Sequence, residues 1–219
     1  MNGDGAQVPL WIDLSAVAFG AMQGGAFGTR ASDERNFDIL AVAVFALVIG
    51  LGGGVVRDVL LNQTPAALRE DGYLLVALLA GLAGMLLADV FARFRWTVDT
   101  LDAAVVGLFV VVGALKTRDA GLPGGAIILL GTITGVGGGV IRDLLAQRPV
   151  ELVQRTTPYA LVALLGAVAF VALDTLGAGP VPASLACLAV VVVVRLLALA
   201  RGWQSPAPVA GTALRRRPP

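Results

Sequence analysis

The chain has 219 residues, of which 57% are hydrophobic and 14% charged, with a net charge of +1 and a mean hydropathy of +0.85. A soluble domain carries about 25% charged residues, so this composition excludes a water-covered surface and predicts that lipid is the main solvent. Histidine is absent, cysteine occurs once, and no acid pair is clustered, which excludes the common catalytic constellations. We therefore expect a membrane protein that is not an enzyme, with no cofactor, no structural metal and no nucleic-acid partner.

Seven apolar runs are long enough to cross a bilayer as helices, which takes about 20 residues each. Short polar or turn-rich segments separate these runs. The predicted spans are 10–27, 37–61, 73–91, 97–115, 123–145, 159–176 and 181–199. Residues 1–9 are predicted to form an extracellular segment, and residues 200–219, which contain SPAP and RRRPP, a disordered cytosolic tail.

The chain contains an internal duplication. The stretches GLGGGVVRDVLL and GVGGGVIRDLLA, which start 85 residues apart, agree at eight of twelve positions. The surrounding spans match as well, through the pairs Asp13 and Asp102, Gly24 and Gly113, and Tyr73 and Tyr159. Residues 10–91 and 97–176 are thus two repeats of three spans, and the last span is unpaired. Because three is odd, the second repeat is predicted to enter the membrane from the opposite side.

Each repeat places three consecutive glycines inside a span. Glycine costs about 1 kcal/mol relative to alanine in a helix, so we expect spans two and five to be kinked or broken there. Carbonyls freed by such a break need a polar cavity, and they coordinate K⁺ or Na⁺ after partial dehydration. Close packing of helices is the alternative use of glycine. The candidate ion-coordinating glycines are Gly52, Gly53, Gly54, Gly137, Gly138 and Gly139.

An Arg-Asp pair follows each glycine triplet by one helical turn: Arg57 with Asp58, and Arg142 with Asp143. A charged side chain inside a span must face a cavity or a partner. Neighbours on a helix point about 100° apart, so we expect each arginine to bond freed carbonyls or a carboxylate of the other repeat rather than its adjacent aspartate. A structural ion pair and a direct role in permeation are equally weighted. Secondary pore candidates are Gln23, Thr132, Thr134, Asp13 and Asp102.

The distribution of basic residues predicts the orientation. With the N-terminus outside, ten basic residues lie in cytosolic segments and three in outer segments, so the C-terminus is predicted to be cytosolic. Arg195 is expected to snorkel to the cytosolic interface. The cytosolic set is Arg30, Arg35, Arg93, Arg95, Arg148, Arg155, Arg201, Arg215, Arg216 and Arg217, and the outer set is Arg69, Lys116 and Arg118.

The duplicated GxGGGxxRD motif, the 3+3+1 pattern of spans and the Asp-Gly pairs resemble the prokaryotic trimeric intracellular cation channel family, whose relatives are also labelled putative glycine transporters. The resemblance covers about residues 10–199. It implies a homotrimer in the inner (plasma) membrane of a prokaryote, one pore per protomer between kinked spans two and five, and passage of K⁺ and Na⁺. Animal members carry Lys-Glu-Val at the second glycine triplet, so their phosphoinositide regulation is not carried over.

Membrane lipids and a second and third copy of the chain are the expected partners. A local hint of trimerisation is that glycines recur along spans one, four and five beyond the apparent needs of one protomer. These glycines are Gly20, Gly24, Gly107, Gly113, Gly131 and Gly135.

The alternative function is secondary transport of a small neutral solute such as glycine, because inverted repeats with broken helices are also typical of transporters. In that reading, Gly54 and Asp58 supply a half-helix N-terminus and an acceptor for a zwitterion. A non-transporting scaffold is a third possibility. The scarcity of polar side chains in the spans favours the channel.

Overall fold

The computed structural model describes residues 9–93, 95–153 and 158–205, and within them every regular element is helical. A single 3-10 turn, Glu151–Val153, lies between the seventh and eighth helices of this part of the chain. The helices are α1 Leu10–Arg35, α2 Ile39–Leu60, α3 Ala66–Arg69, α4 Asp71–Leu86, α5 Ala88–Arg93, α6 Arg95–Asp119, α7 Gly124–Leu145, α8 Tyr159–Thr175 and α9 Pro180–Ala200. The predicted extracellular segment before Pro9 and the predicted tail after Ser205 lie outside the described residues.

The all-helical membrane fold is confirmed. Within the described residues, four helices are long and apolar enough to cross a bilayer: α2, residues 100–119 of α6, α7 and α9. Helices α4 and α8 are shorter apolar helices. The predicted third span is divided into α4 and α5, although the amide of Leu87 still donates to the Ala83 carbonyl and that of Phe91 to Leu87, so helical bonding continues across the junction. The number of seven crossings stays a prediction.

The first helix is longer than predicted, since it continues past residue 27 to Arg35. In its polar C-terminal part the hydroxyls of Thr29 and Ser32 donate to carbonyls four residues back, at 2.9 and 2.8 Å, so these polar groups are satisfied within the helix. The helix ends at Asn36, which adopts the left-handed conformation (φ 54°) and donates its amide to the Ser32 carbonyl.

Both glycine triplets lie inside continuous helices, which corrects the expectation of broken helices with freed carbonyls. A Cβ on Gly53 would collide with the carbonyl oxygen of Thr134, and one on Gly138 would come within 2.8 Å of the Ile49 carbonyl oxygen. The glycines therefore let the backbones of α2 and α7 touch where they cross. Backbone contact of this kind explains the middle glycine of each triplet without a break in the helix.

The two halves of the chain share one packing scheme. The contact of Gly53 with Thr134 becomes the contact of Gly138 with Ile49 when each residue is exchanged for its counterpart 85 positions away. Equivalent contacts also join α1 to α2 and α6 to α7. These are Gly50 with Ala21 and Gly135 with Val110.

The six glycines that hinted at a trimer pack inside the protomer instead. Each would bring an added Cβ against a neighbouring helix of the same chain, at 3.3 Å or less. On α1, Gly20 meets α6 and Gly24 meets α2, whereas on α6, Gly107 meets α9 and Gly113 meets α7; on α7, Gly131 and Gly135 both meet α6. They give no separate support for a trimer.

Candidate functional site

Asp13, in the first turn of α1, is buried and is the centre of a small polar cluster. The hydroxyl of Tyr73, on α4, donates to Asp13 Oδ2 at 2.7 Å. Lys116, near the end of α6, forms an ion pair with the same oxygen. Lys116 belongs to the second repeat and Asp13 to the first, so this ion pair ties the two halves together at the end of the molecule predicted to face outward.

The motif residues Arg57 and Asp58 close a turn after α2. The Arg57 Nε and Nη2 atoms donate to Asp58 Oδ1 at 2.8 and 2.6 Å, and Asp58 Oδ2 accepts from the amide of Ala66 at 2.9 Å. Asn62, within the turn, has a positive φ of 54°. The expectation that Arg57 avoids its neighbour is wrong, because the amide of Ala66 fixes the carboxylate and the long arginine side chain curls onto it.

The second repeat builds the same turn. Arg142 Nε donates to Asp143 Oδ1 at 2.8 Å, Asp143 Oδ2 accepts from the amide of Glu151 at 3.0 Å, and Gln147 has φ 49°. In both repeats the aspartate therefore caps an amide eight residues downstream and holds the preceding arginine. The sequence predicts a structural ion pair or a role in permeation for these residues, but it does not predict that the aspartate caps this turn.

Near the second turn lies a cavity of about 270 Å³, which we call the inner cavity after the predicted orientation. Gln23 Nε2 donates to Asp102 Oδ1 at 2.5 Å, and Arg195 Nη2 lies 3.2 Å from Asp102 Oδ2 and 3.3 Å from Glu151 Oε1. The cavity is lined by Phe19, Met22, Gln23, Ala26, Phe27, Arg30, Phe91, Leu101, Asp102, Arg142, Glu151, Arg195 and Leu199.

The corresponding space near the first turn is almost closed. This outer pocket has a volume of about 20 Å³, which is room for roughly one water molecule. It is lined by Asp13, Val17, Gly50, Leu51, Gly54, Val55, Arg57, Asp58, Ala66, Ala67, Tyr73 and Phe109.

Two of the three arginines that line the inner cavity, Arg142 and Arg195, are compensated by carboxylates and aromatic faces. The guanidinium carbon of Arg142 lies 5.0 Å from the centroid of the Phe27 ring, and that of Arg195 lies 4.8 Å from the Tyr159 ring. Arg195 is 6% exposed and paired with Asp102 and Glu151, so the expectation that it snorkels to the interface is wrong. The compensation leaves the cavity far less positive than its number of arginines suggests.

Comparison with known proteins identifies the family that shares this sequence and fold. The family model described as "Glycine transporter" matches residues 10–89 and 99–175. A UPF0126 membrane protein of Deinococcus radiodurans is 39% identical over 159 residues, which is 72% of each chain, and the UPF0126 inner membrane protein YadS of Escherichia coli K12 is 31% identical over 160 residues, 72% of this chain and 75% of that one.

The chain belongs to the glycine transporter family, UPF0126. The structure of the TRIC trimeric intracellular cation channel orthologue from Rhodobacter sphaeroides superimposes with a TM-score of 0.78 at 31% identity, covering 88% of this chain and 97% of that one. The resemblance to the prokaryotic TRIC family is thereby confirmed. These relatives are membrane proteins, and they indicate no catalytic family.

In this family member, seven of the fifteen predicted site residues line the two spaces. The candidate ion-coordinating glycines other than Gly54 line neither of them. Gln23, Asp102 and Arg142 line the inner cavity, and Asp143 lies behind Arg142. The outer pocket collects four predicted residues, namely Asp13, Gly54, Arg57 and Asp58.

Two secondary candidates are not part of either space. The hydroxyls of Thr132 and Thr134 donate to the carbonyls of Ile128 and Leu130 within α7, at 2.8 and 2.6 Å. Their hydroxyls are therefore engaged by their own helix. Thr134 contributes instead through its backbone, which contacts Gly53.

Three polar residues of the site were missed or undervalued at the sequence level: Lys116, Glu151 and Arg195. Lys116 and Glu151 lie outside the predicted spans, and Arg195 lies on the unpaired last span. Their partners are far away in sequence, so hydropathy and motif spacing carry no signal for these contacts. Their charges near or inside apolar segments were the available clue.

Proposed function

We propose that the chain forms a homotrimeric channel for monovalent cations, K⁺ and Na⁺, with one pore in each protomer between α2 and α7. The Rhodobacter sphaeroides relative, 31% identical and matched along 97% of its length, is a trimeric intracellular cation channel orthologue. The agreement in fold extends over 88% of this chain. The trimer rests on this relationship, and native mass spectrometry in mild detergent tests it, with monomers or dimers alone as the contrary result.

The observation that carries the channel proposal is the pair of spaces inside one protomer. The outer pocket lies beside Gly54 and Arg57 of α2, the inner cavity reaches Arg142 of α7, and both are flanked by α1 and α6. The outer pocket contains the buried Asp13, and the inner cavity contains Asp102, whose side chain is 17% exposed. A continuous path between them would cross the molecule from end to end. An outer pocket of about 20 Å³ does not admit a hydrated ion, so conduction along this path requires the pocket to widen.

Cation preference follows from which charges are available to an ion. Arg57 is engaged by Asp58, Arg142 by Asp143, and Arg195 by Asp102 and Glu151. With the guanidinium groups paired in this way, the arginines repel a passing K⁺ or Na⁺ less than free guanidinium groups would.

The glycine triplets keep a role in this proposal, although the helices are continuous. Since Gly52–Gly54 and Gly137–Gly139 present no side chains, α2 and α7 can slide at their crossing without repacking, and the backbone there becomes a pore wall on opening. Substitution by larger residues is expected to block that movement.

The proposed location is the inner membrane of a prokaryote, with the N-terminus outside and the C-terminus in the cytosol. The YadS relative is named an inner membrane protein, and ten of the thirteen basic residues outside the span interiors lie in the predicted cytosolic segments. Ser205→Cys in a Cys187→Ala background tests the orientation. Labelling by an impermeant thiol reagent on intact cells would reverse it.

A second candidate function is transport of a small zwitterion such as glycine. It is favoured by the family description and by the inner cavity, where Arg142 and Arg195 could receive a carboxylate and Asp102 and Glu151 an ammonium group. Proteoliposomes separate the two functions. A channel gives voltage-driven K⁺ flux without added solute, whereas a transporter gives saturable glycine uptake with counterflow and no uncoupled K⁺ flux.

A further inference from the structure

The inner cavity and the outer pocket lie at different levels along the same two helices, α1 and α6. On α6, Asp102 lines the inner cavity and Phe109, two turns later, lines the outer pocket, and seven residues correspond to about 10 Å of helix rise. The layer of protein that stops water and ions from passing between the two spaces therefore includes this stretch of α6 and the part of α1 packed against it.

The side chain of Phe109 lies in this layer and packs against α1. Its Cε2 and Cζ atoms lie 2.9 and 3.1 Å from the position that a Cβ on Gly20 would take, so the ring rests on the bare backbone of α1. Phe109 is buried in a small apolar cluster with Ala16, Val105 and Val112. Because Gly20 has no side chain, the aromatic ring of Phe109 occupies the space beside it.

The internal duplication gives this contact a special position. The interval of 89 residues that relates Asp13 to Asp102, and Gly24 to Gly113, also relates Gly20 to Phe109. A contact between two counterparts lies on the axis that exchanges the halves, which is midway between the two spaces. At this axis the second repeat contributes the ring of Phe109, and the first repeat contributes Gly20, which leaves space for it.

We propose that Phe109, seated on Gly20, is the hydrophobic barrier that separates the inner cavity from the outer pocket and keeps the permeation path shut. The proposal rests on the proposed channel function and adds the position and chemistry of its block. An apolar constriction of this kind stops ions by excluding water, without a charged gate. Movement of the ring off Gly20 joins the two spaces into one aqueous path.

The first test is K⁺ flux in proteoliposomes for wild type, Phe109→Ala and the milder Phe109→Leu. Loss of the ring is expected to raise the flux by about tenfold or more, which corresponds to a barrier lower by about 1.4 kcal/mol, and leucine is expected to fall between. The matched control is Phe170→Ala, since Phe170 is an equally buried phenylalanine on α8, away from both spaces. It should lower thermal stability and leave the flux at the wild-type level.

The second test measures the barrier without relying on channel activity. Single cysteines replace Ala66, a partly exposed residue at the outer pocket, and Ala26 in the inner cavity, in a Cys187→Ala background. Ala66 donates its backbone amide to Asp58, so a cysteine at this position leaves that hydrogen bond in place. Intact cells and inverted membrane vesicles are treated with a small impermeant cationic thiol reagent. Each cysteine should react from one side only with Phe109 present, and from both sides after Phe109→Ala or Phe109→Leu.

The two tests separate failure of the barrier from failure of the channel. If wild type and variants pass no K⁺, the channel function is contradicted, and the labelling pattern alone decides the barrier. If folded Phe109→Ala and Phe109→Leu keep wild-type flux and one-sided labelling, the barrier is overturned. Labelling of either cysteine from both sides in the presence of Phe109 overturns it as well.

Discussion

The two ends of the protomer carry the same motif and differ in what surrounds it. At both ends an Arg-Asp pair closes a turn by capping an amide eight residues downstream. The space beside this turn has a volume of about 20 Å³ at the outer end and about 270 Å³ at the inner end. The motif therefore builds the scaffold, and the residues around it decide whether an aqueous space exists.

One position accounts for part of the difference. Ala66 donates the amide that Asp58 caps at the outer turn, and its counterpart at the inner turn is Glu151, whose carboxylate reaches Arg195 across the cavity. At the outer end Tyr73 and Lys116 converge on Asp13 instead and draw three helices together. A charged side chain that spans the inner cavity holds it open, while direct contacts close the outer pocket.

The largest expected effect comes from removing the carboxylate of the turn. Arg57 is 2% exposed, so Asp58→Ala leaves a buried unpaired charge and is expected to cost about 3–5 kcal/mol of unfolding free energy. Asp143→Ala should cost less, because the Arg142 side chain is 14% exposed and also lies 3.7 Å from Glu151. Thermal unfolding of the two variants in detergent measures the difference. Equal losses would contradict the contrast between a closed outer end and an open inner end.

Adjacent glycines provide the next comparison. Gly53→Ala places a Cβ against the Thr134 carbonyl and is expected to destabilise the fold by about 1–3 kcal/mol. Gly54→Ala meets only Arg57 Nη2 at 3.7 Å and is expected to be neutral or to gain up to about 1 kcal/mol in helix propensity. Thermal stability and size-exclusion profiles of both variants give the result. A Gly53→Ala protein as stable as wild type would remove backbone contact as the reason for the triplet.

Making the inner end resemble the outer one should have a moderate effect. Glu151→Ala keeps the amide that Asp143 caps and removes one carboxylate partner of Arg142 and Arg195. Since Asp143 and Asp102 still pair with these arginines, the stability loss is expected to be about 1 kcal/mol. The loss of one negative charge should lower K⁺ flux relative to wild type and to a Glu151→Asp control, which keeps the carboxylate, as measured in proteoliposomes. Unchanged flux in Glu151→Ala would place the cavity off the ion path.

The smallest effect is expected at the mouth of the inner cavity. Arg30 is exposed there, so Arg30→Gln should change K⁺ flux by no more than about twofold at low ionic strength. The change should vanish near 1 M salt, where the screening length is about 3 Å. A change in flux that persists at high salt would mean that Arg30 acts through its size and contacts in the path and not through its electrostatic field.

Much of the fold was predictable from the sequence because hydropathy and the duplicated motif report locally. Six of the seven predicted spans begin and end within about four residues of helix ends, the third as the pair α4 and α5. The exception is the end of α1, where Thr29 and Ser32 satisfy their hydroxyls inside the helix and stay helical in spite of their polarity.

The site was predictable in its residues but not in its contacts. Asp13, Arg57, Asp102 and Arg142 do line the two spaces. The predicted helix breaks are wrong because helix propensity alone does not account for tertiary packing. The backbone contacts at Gly53 and Gly138 outweigh the loss of helix propensity. The contacts of Lys116 and Arg195 depend on partners that are distant in sequence, which local pattern does not encode.

The sign of the permeant charge tests the central claim most directly, because a cavity lined by three arginines and two carboxylates allows either outcome a priori. The measurement is the reversal potential of Phe109→Ala and wild-type protein in a planar bilayer with a tenfold KCl gradient. A cation channel predicts reversal close to the potassium equilibrium potential for both proteins, with a larger current for the variant. Reversal close to the chloride equilibrium potential, or the absence of current in both proteins, would contradict it.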